Sequence, residues 1–340
     1  MLMKKVFLCL LIFTLILGLV GCKEKAGSNS DLLIINDEVV SVDLFNHYLF
    51  AAKQKIKERY NIEDGSDFWE FAKIQGQNVN DYVKNQALFQ IETLYITKQK
   101  LGRELTIDEQ AKVERLRSLY QITYGDKYTE ELAKQGLTPE TNDLKLEYTA
   151  YDEIIYDKII SETDEKTFKE FYEHDMLCVK QVFVSKKDIV TNALLTDEEL
   201  EQAKVKIESA LYEINNAAGF SEELLKIYNE DSGIDQSGNG YLLAKTNSFF
   251  DPIWLATANS LKEGQFSGII ETDDGWHILL RNPIDINAYN DNYEDIKREF
   301  WIDLQETWRF EAKVEKNSKL WNKINVSKGL ENNFGLNNLI

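Results

Sequence analysis

The stretch FSGIIETDDGWHILLR, Phe266 to Arg281, decides the fold. It reads as two short strands, Ile269-Ile270 and Trp276 to Leu280, joined at Thr272-Asp273-Asp274-Gly275. β-Branched, aromatic and aliphatic residues fill both runs, as a half-buried pleated surface requires. The Asp-Asp-Gly between them offers the tolerance of positive φ that a tight hairpin demands. Just upstream, Leu261-Lys262-Glu263-Gly264 reads as a helix end with a C-cap glycine, and Gln265-Phe266-Ser267 as entry into the strand. His277 sits inside the second strand. By itself, a histidine so placed is more often a hydrogen-bonded core residue than a catalyst.

Upstream, Leu177 to Ser185, LCVKQVFVS, reads as a strand, and Thr196-Asp197-Glu198-Glu199 caps a helix through Asn215. A second helix opens at Gly219-Phe220-Ser221 and ends near Asn229-Glu230-Asp231-Ser232-Gly233. Gly238-Asn239-Gly240 turns into a short strand at Tyr241-Leu242-Leu243, and Pro252-Ile253-Trp254 begins the last helix of this region. The order is β-α-α-β-α-β-β. With Leu261, Gly264, Ser267, Gly275, His277, Ile278 and Arg281 at their spacing, the region resembles a parvulin-type (PpiC-like) peptidyl-prolyl isomerase domain from Leu177 to about Pro283.

That resemblance implies a site for twisting the Xaa-Pro amide, with apolar walls around the proline and a polar network behind them. It places Phe250 and Trp254 at the walls, with Leu242 closing the pocket. His277 is the retained family histidine, and Asp231 and Ser232 stand where relatives carry Asp or Cys and its neighbour. The family's other histidine, in the first strand, is here Gln181. An amide can donate and accept toward His277 but cannot titrate, so the expectation is an isomerase whose catalysis is attenuated. Its rival is a non-catalytic holdase keeping the fold and the client groove.

Before this domain the apolar residues recur at helical spacing. One stripe is Phe45, Tyr48, Leu49, Ala52, Ile56 and Tyr60, behind a strand Leu32 to Ile35, a turn at Asn36-Asp37 and an N-cap at Ser41. Further stripes run from Val79 to Tyr95, through Leu116, Leu119 and Tyr120 after a capping box at Thr106 to Glu109, and from Tyr148 to Ile159 after Thr138-Pro139. All are expected to be core. After the domain, Asp291 to Lys319 returns to helix, with Tyr293, Ile296, Phe300, Leu304, Trp308 and Val314 on its apolar face. Ile324-Asn325-Val326 is a candidate partner for the early strand. The pattern is similar to the lipid-anchored foldases of the PrsA type and to SurA. The resemblance implies an α+β chain: a helical chaperone-like domain from residues 31–172 and 285–340, with the parvulin-type domain, 173–284, inserted.

The N-terminus carries a targeting segment. Lys4-Lys5 form a basic start, Val6 to Val20 an apolar core shorter than the roughly twenty residues of a membrane span, and Leu19-Val20-Gly21-Cys22 resembles a bacterial lipobox. Residues 1–22 are therefore expected to be a lipoprotein signal, Cys22 the lipidated residue, and 23–30 a flexible tether. The body would then lie on the extracytoplasmic face of the cell membrane. Of three cysteines, Cys9 lies in the signal and Cys22 takes lipid, so Cys178 has no intramolecular partner.

A formal net charge of −19 over 340 residues argues against nucleic acid. The three histidines, His47, His174 and His277, are far apart in sequence and no CxxC or HExxH occurs, so neither metal nor cofactor is expected. The partners expected are unfolded, newly secreted chains and proline-containing peptides; a homodimer is left open. A solute-binding lipoprotein is a further rival, disfavoured by the scarcity of strands before residue 170.

Overall fold

The computed structural model describes residues 31–188, 191, 193–217, 220–231, 233 and 240–327. The signal, the tether, Cys22, Ser232 and Gly238-Asn239 lie outside these residues. The chain opens with a hairpin, β1 (Leu33–Ile35) and β2 (Glu38–Val39), closed by Asn36 and Asp37 at φ 49° and 70°. Two successive left-handed residues make the turn whose twist matches that of the strands. Helix α1 (Val42–Tyr60) is capped by the Ser41 hydroxyl, which accepts from Leu44 N. A short helix α2 (Phe68–Phe71) and a second hairpin, β3 (Lys73–Ile74) and β4 (Gln77–Asn78), lead into α3 (Val79–Leu101). Then come α4 (Ile107–Tyr124), α5 (Tyr128–Ala133), α6 (Pro139–Glu162) and α7 (Glu165–His174).

The parvulin-type region follows as β5 (Met176–Ser185), α8 (Asp197–Ala217), α9 (Glu222–Tyr228), β6 (Tyr241–Ala244), α10 (Pro252–Ser260), β7 (Ile270–Glu271) and β8 (Gly275–Asn282). Its four strands form one antiparallel sheet in the order β6-β5-β8-β7. Because side chains alternate along a strand, β5 sends Val182 and Val184 to a core with α8 and α9, and Leu177 and Val179 to a core with α10. On β8, Trp276 and Ile278 face the first core and Leu279 the second. His277 and Gln181 share the α10 face.

The chain returns through α11 (Tyr293–Glu311), β9 (Val314–Lys316) and α12 (Ser318–Trp321). Strand β9 pairs antiparallel with β1, Ile34 opposite Glu315. Here the structure corrects the sequence reading twice. Val314 belongs to that strand rather than to a helix face, and it is β9, not Ile324 to Val326, that pairs with the N-terminal strand. Ile324 and Val326 are instead core side chains, packed with Leu33, Phe45, Val83 and Ile91, and Trp321 lies 5.6 Å from Phe45. One core is thus made from both ends of the chain.

The stripe on α4 departs from expectation at Leu119. Its capping box forms as read, Val113 is buried, and Leu116 and Tyr120 pack half-buried against the same core, but Leu119 is exposed, as are Ile107 and Ile122. Helix α11 lies between the two regions. Phe300 packs edge-on to Phe168 and Phe171, Trp308 to Trp301, and Glu299 accepts from Ala244 N at 2.9 Å and Asn247 Nδ2 at 2.8 Å.

Candidate active site

The Thr272–Gly275 turn brings the first surprise. Thr272 N donates to Gly275 O, but none of Asp273, Asp274 and Gly275 has positive φ. The glycine is required by proximity instead: a Cβ at Gly275 would lie 2.2 Å from Val184 O and 2.5 Å from the Phe183 ring. The upstream helix ends at Ser260, and Gly264, at φ 77°, serves the turn after it rather than a helix C-cap. From that turn Ser267 runs beside β8, exchanging hydrogen bonds with the Leu279 backbone. Ser267 and Gly264 thus fix the strand that carries His277.

His277 is 7 % exposed and Gln181 6 % exposed. Their strands pair directly, but Gln181 is opposite Leu279, so the two side chains meet diagonally on the α10 face. The ring Nδ1 lies 2.9 Å from Gln181 Oε1, and the Trp254 indole N–H donates to the same oxygen at 2.8 Å. Indole is a donor only. The Gln181 amide therefore presents oxygen, and imidazole Nδ1 carries the proton. On the far side Nε2 is left as the acceptor, with Thr272 Oγ1 at 2.9 Å. The backbone N–H groups of Asp274 and Gly275 reach that same hydroxyl oxygen at 3.3 and 3.4 Å; for its proton Nε2, at 2.9 Å, is a nearer acceptor than Gly275 O, at 3.3 Å. The Gln181 NH₂ donates to Asp231 Oδ2, which also accepts from Tyr241 Oη at 2.7 Å. Every link thus has a defined polarity, from the turn amides through Thr272, His277 and Gln181 to Asp231.

Asp231 reaches the network because residues 229–230 run along β5 beyond the end of β6. Glu230 N donates to Phe183 O, and Phe183 N to Asn229 Oδ1, both at 2.8 Å. Burial lowers the His277 pKa to about 4, against the upward pull of Asp274, Asp251 and Asp231. The ring is neutral at pH 7. Burial, then Asp231 beside it, pushes the Tyr241 phenol up, so this hydroxyl stays a donor.

The apolar walls are distributed differently from the sequence expectation. Phe250 and Trp254 stack at 4.6 Å, and Tyr241 stands edge-on to both, at 5.5 and 6.2 Å. Trp254 is only 3 % exposed and lies beneath, while Phe250, Tyr241 and Phe183 are the half-buried rings. Phe183 lies over the imidazole at 4.8 Å. Leu242 does not close the pocket. On β6 it points away, against the core of α7 and α11, because Tyr241 and Leu243 take the α10 face. The alternation of β6 could have shown this in the sequence. Tyr241, Thr272 and Phe183 are not among the residues that the sequence pointed to, although Tyr241 adjoins Leu242 and Phe183 shares its strand face with Gln181. Among the described residues, no cluster of His, Cys, Asp and Glu could hold a metal ion.

Residues 183–282 match the family model of the rotamase, or PPIC-type PPIase, domain. Over 351 residues the chain is 26% identical to the foldase protein PrsA of Clostridium botulinum, covering 96% of this chain and 97% of that protein. Among solved structures, PrsA of Bacillus anthracis matches with TM-score 0.33 and 16% identity over 66% of this chain and 95% of that one. PrsA of Streptococcus pneumoniae matches with TM-score 0.31 and 15% identity, covering 68% and 81%. Family match, full-length similarity and sheet topology together make this a PrsA-like chain with a domain of the parvulin-type peptidyl-prolyl cis-trans isomerases at its centre.

Proposed function

We propose that the protein is a lipid-anchored extracytoplasmic foldase that binds unfolded exported chains and isomerises their Xaa-Pro bonds. The observation that carries this reading is the closed polar network of neutral His277, Gln181, Asp231 and Thr272 beneath the half-buried rings of Phe183, Tyr241 and Phe250. Prolyl isomerisation is limited by loss of amide conjugation, a barrier of about 18–20 kcal/mol. A site lowers it by gripping the proline ring and favouring the twisted, unconjugated amide, without a nucleophile. A neutral imidazole held at both nitrogens suits that task, since it presents a fixed dipole and exchanges no proton.

Gln181 supplies the acceptor that His277 and Trp254 both need, but it is not a second imidazole. Catalysis weaker than in a two-histidine parvulin is part of the proposal, and Gln181→His should raise it. A protease-coupled assay on a Xaa-Pro peptide tests the activity. Turnover absent from the intact protein, with peptide binding retained, would leave the holdase. One feature favours client binding beyond the isomerase site: Ile107, Leu119 and Ile122 stand exposed on α4. Anchoring rests on the lipobox at Cys22, two acyl chains holding a protein where one holds marginally. Cys22→Ser should release unlipidated protein or leave uncleaved precursor; unchanged fractionation with lipid still attached would refute it.

A further inference from the structure

The Thr272–Gly275 turn is held from outside its own domain. Arg59, near the end of α1, is ion-paired with Asp274, its Nε 3.3 Å from Oδ1. The hairpin β3–β4 reaches the same turn: Gln75 N donates to Asp273 Oδ2 at 2.6 Å, and Gln75 Nε2 to Asp251 Oδ2 at 3.3 Å. Lys187, on the isomerase side, lies 3.3 Å from Asp274 and 4.5 Å from the centre of the Tyr60 ring of α1. Burial pushes the Asp274 carboxyl up, but Arg59 and Lys187 hold it below its ordinary value, so it is ionised.

Gln75 stands at φ 50°, followed by Gly76 at 74°. A non-glycine residue in the left-handed region is uncommon and is sustained only where its surroundings impose it. Here the conformation places the Gln75 N–H against Asp273. Beside these contacts a cleft of about 500 Å³ separates Gln75, Gly76 and Gln77 from Ile253, Thr272 and Asp273. On this side the turn is therefore held by discrete polar contacts rather than by continuous packing.

We propose that Arg59 and the Gln75 hairpin of the helical body are positioning residues for His277, acting through the Thr272–Gly275 turn. The path is short. The Asp274 N–H orients the Thr272 hydroxyl, and that hydroxyl donates to His277 Nε2. Releasing Asp273 and Asp274 leaves the turn to bonds from its own domain, Lys186 N to Asp274 O and Lys186 Nζ to Thr272 O, both at 2.8 Å, and so loosens the Thr272 bond on one side of the imidazole. The helical body then completes the isomerase site as well as accompanying it. The inference rests on the isomerase reading for its kinetic consequence, but its structural core is separate.

The test uses the full chain with ¹⁵N-labelled histidine. Arg59→Ala, Asp273→Ala and the pair are compared with the intact protein by imidazole ¹⁵N shifts and by isomerisation of a short Xaa-Pro peptide. Small misplacements of a reacting group can cost large factors in rate, and we expect about a tenfold fall in kcat for the pair, with KM little changed. The His277 Nε2 resonance should move toward that of an imidazole without a donor, and Arg59→Lys should recover part of both effects. Asp273→Ala, at a surface turn, keeps the test available should Arg59→Ala impair folding. An unmoved His277 resonance in the folded variants overturns the proposal, whatever the activity. If the intact protein isomerises nothing, the isomerase reading fails while the resonance still decides this one.

Discussion

The helical body and the isomerase unit differ in how they arrange the polar groups they bury. The body joins α1, α3 and the two chain ends through apolar side chains such as Leu33, Phe45, Ile91 and Val326. The body also buries His47, Lys53 and Asn142, at separate places, whereas the isomerase unit links buried His277, Gln181 and Thr272 in one continuous network. Buried polar groups contribute little net stability when satisfied and cost much when a partner is lost. The apolar joint of the first region should therefore respond to volume, and the networked site of the second to hydrogen-bond partners.

The largest effect should come from removing residues 289–340. That takes away β9, the partner of β1, and buried Trp321, Ile324 and Val326. At about 1.5–3 kcal/mol per fully buried large apolar side chain, the loss rivals a typical total stability of about 5–15 kcal/mol. The truncated body should show no cooperative thermal transition by circular dichroism. A truncated chain as stable as the whole would break the account of a core made from both ends. Next, Trp254→Ala should cost about 3–5 kcal/mol by cavity formation and also abolish isomerisation, since Gln181 loses the donor that orients its amide. Leu49→Ala in the body should cost about 2–5 kcal/mol, read as a lower denaturation midpoint, yet leave isomerisation unchanged. The pair separates the two regions.

Acid sharpens the contrast. His277 and His47 both have pKa values lowered by burial to about 4, from an ordinary 6.5. Between these values the unfolded chain binds protons that the folded chain does not, so stability falls as pH drops from 6.5 toward 4 and is unaffected above. The loss should be on the order of 1–3 kcal/mol for each group at pH 4, and His47→Gln should remove its share. Isomerase activity should be flat from pH 8 to 6, because His277 stays neutral there. An activity profile with an inflection near pH 6.5 would contradict a buried, neutral imidazole. Gln181→Leu should cost about 1–3 kcal/mol through the partners it strands. Leu242→Ala should leave peptide affinity unchanged, while Tyr241→Phe should weaken catalysis by removing one bond to Asp231.

The same contrast explains what the sequence could disclose. Alternation on β5 and β8, the 3.6-residue stripes of α1 and α3, and the boxes at Thr106 and Thr196 are local signals, and each corresponds to an observed element. The order of strands and helices around His277 was legible for the same reason. Leu242 was misplaced because side-chain direction on β6 depends on register with β5, where Leu242 faces Cys178. Val314 was drawn into the preceding helix because its strand exists only through pairing with β1, nearly the whole chain away. On α4, Leu116 and Tyr120 do reach the core with Val113, but Leu119 does not, because spacing alone does not show where the covered face ends. Thr272 and Arg59 could not be assigned roles at all. Their importance lies in contacts, one across a turn to an imidazole and one across 215 residues to Asp274.

The proposed isomerase site turns on a neutral His277 held between Gln181 and Thr272. Exchange spectroscopy on a proline-containing peptide tests it without a coupling protease. Cis and trans resonances should exchange in the presence of the intact protein, and the exchange should fall to the uncatalysed rate with His277→Ala while peptide-induced shifts persist. Exchange that is equally fast with His277→Ala, or absent from the intact protein while the peptide binds, would contradict the account.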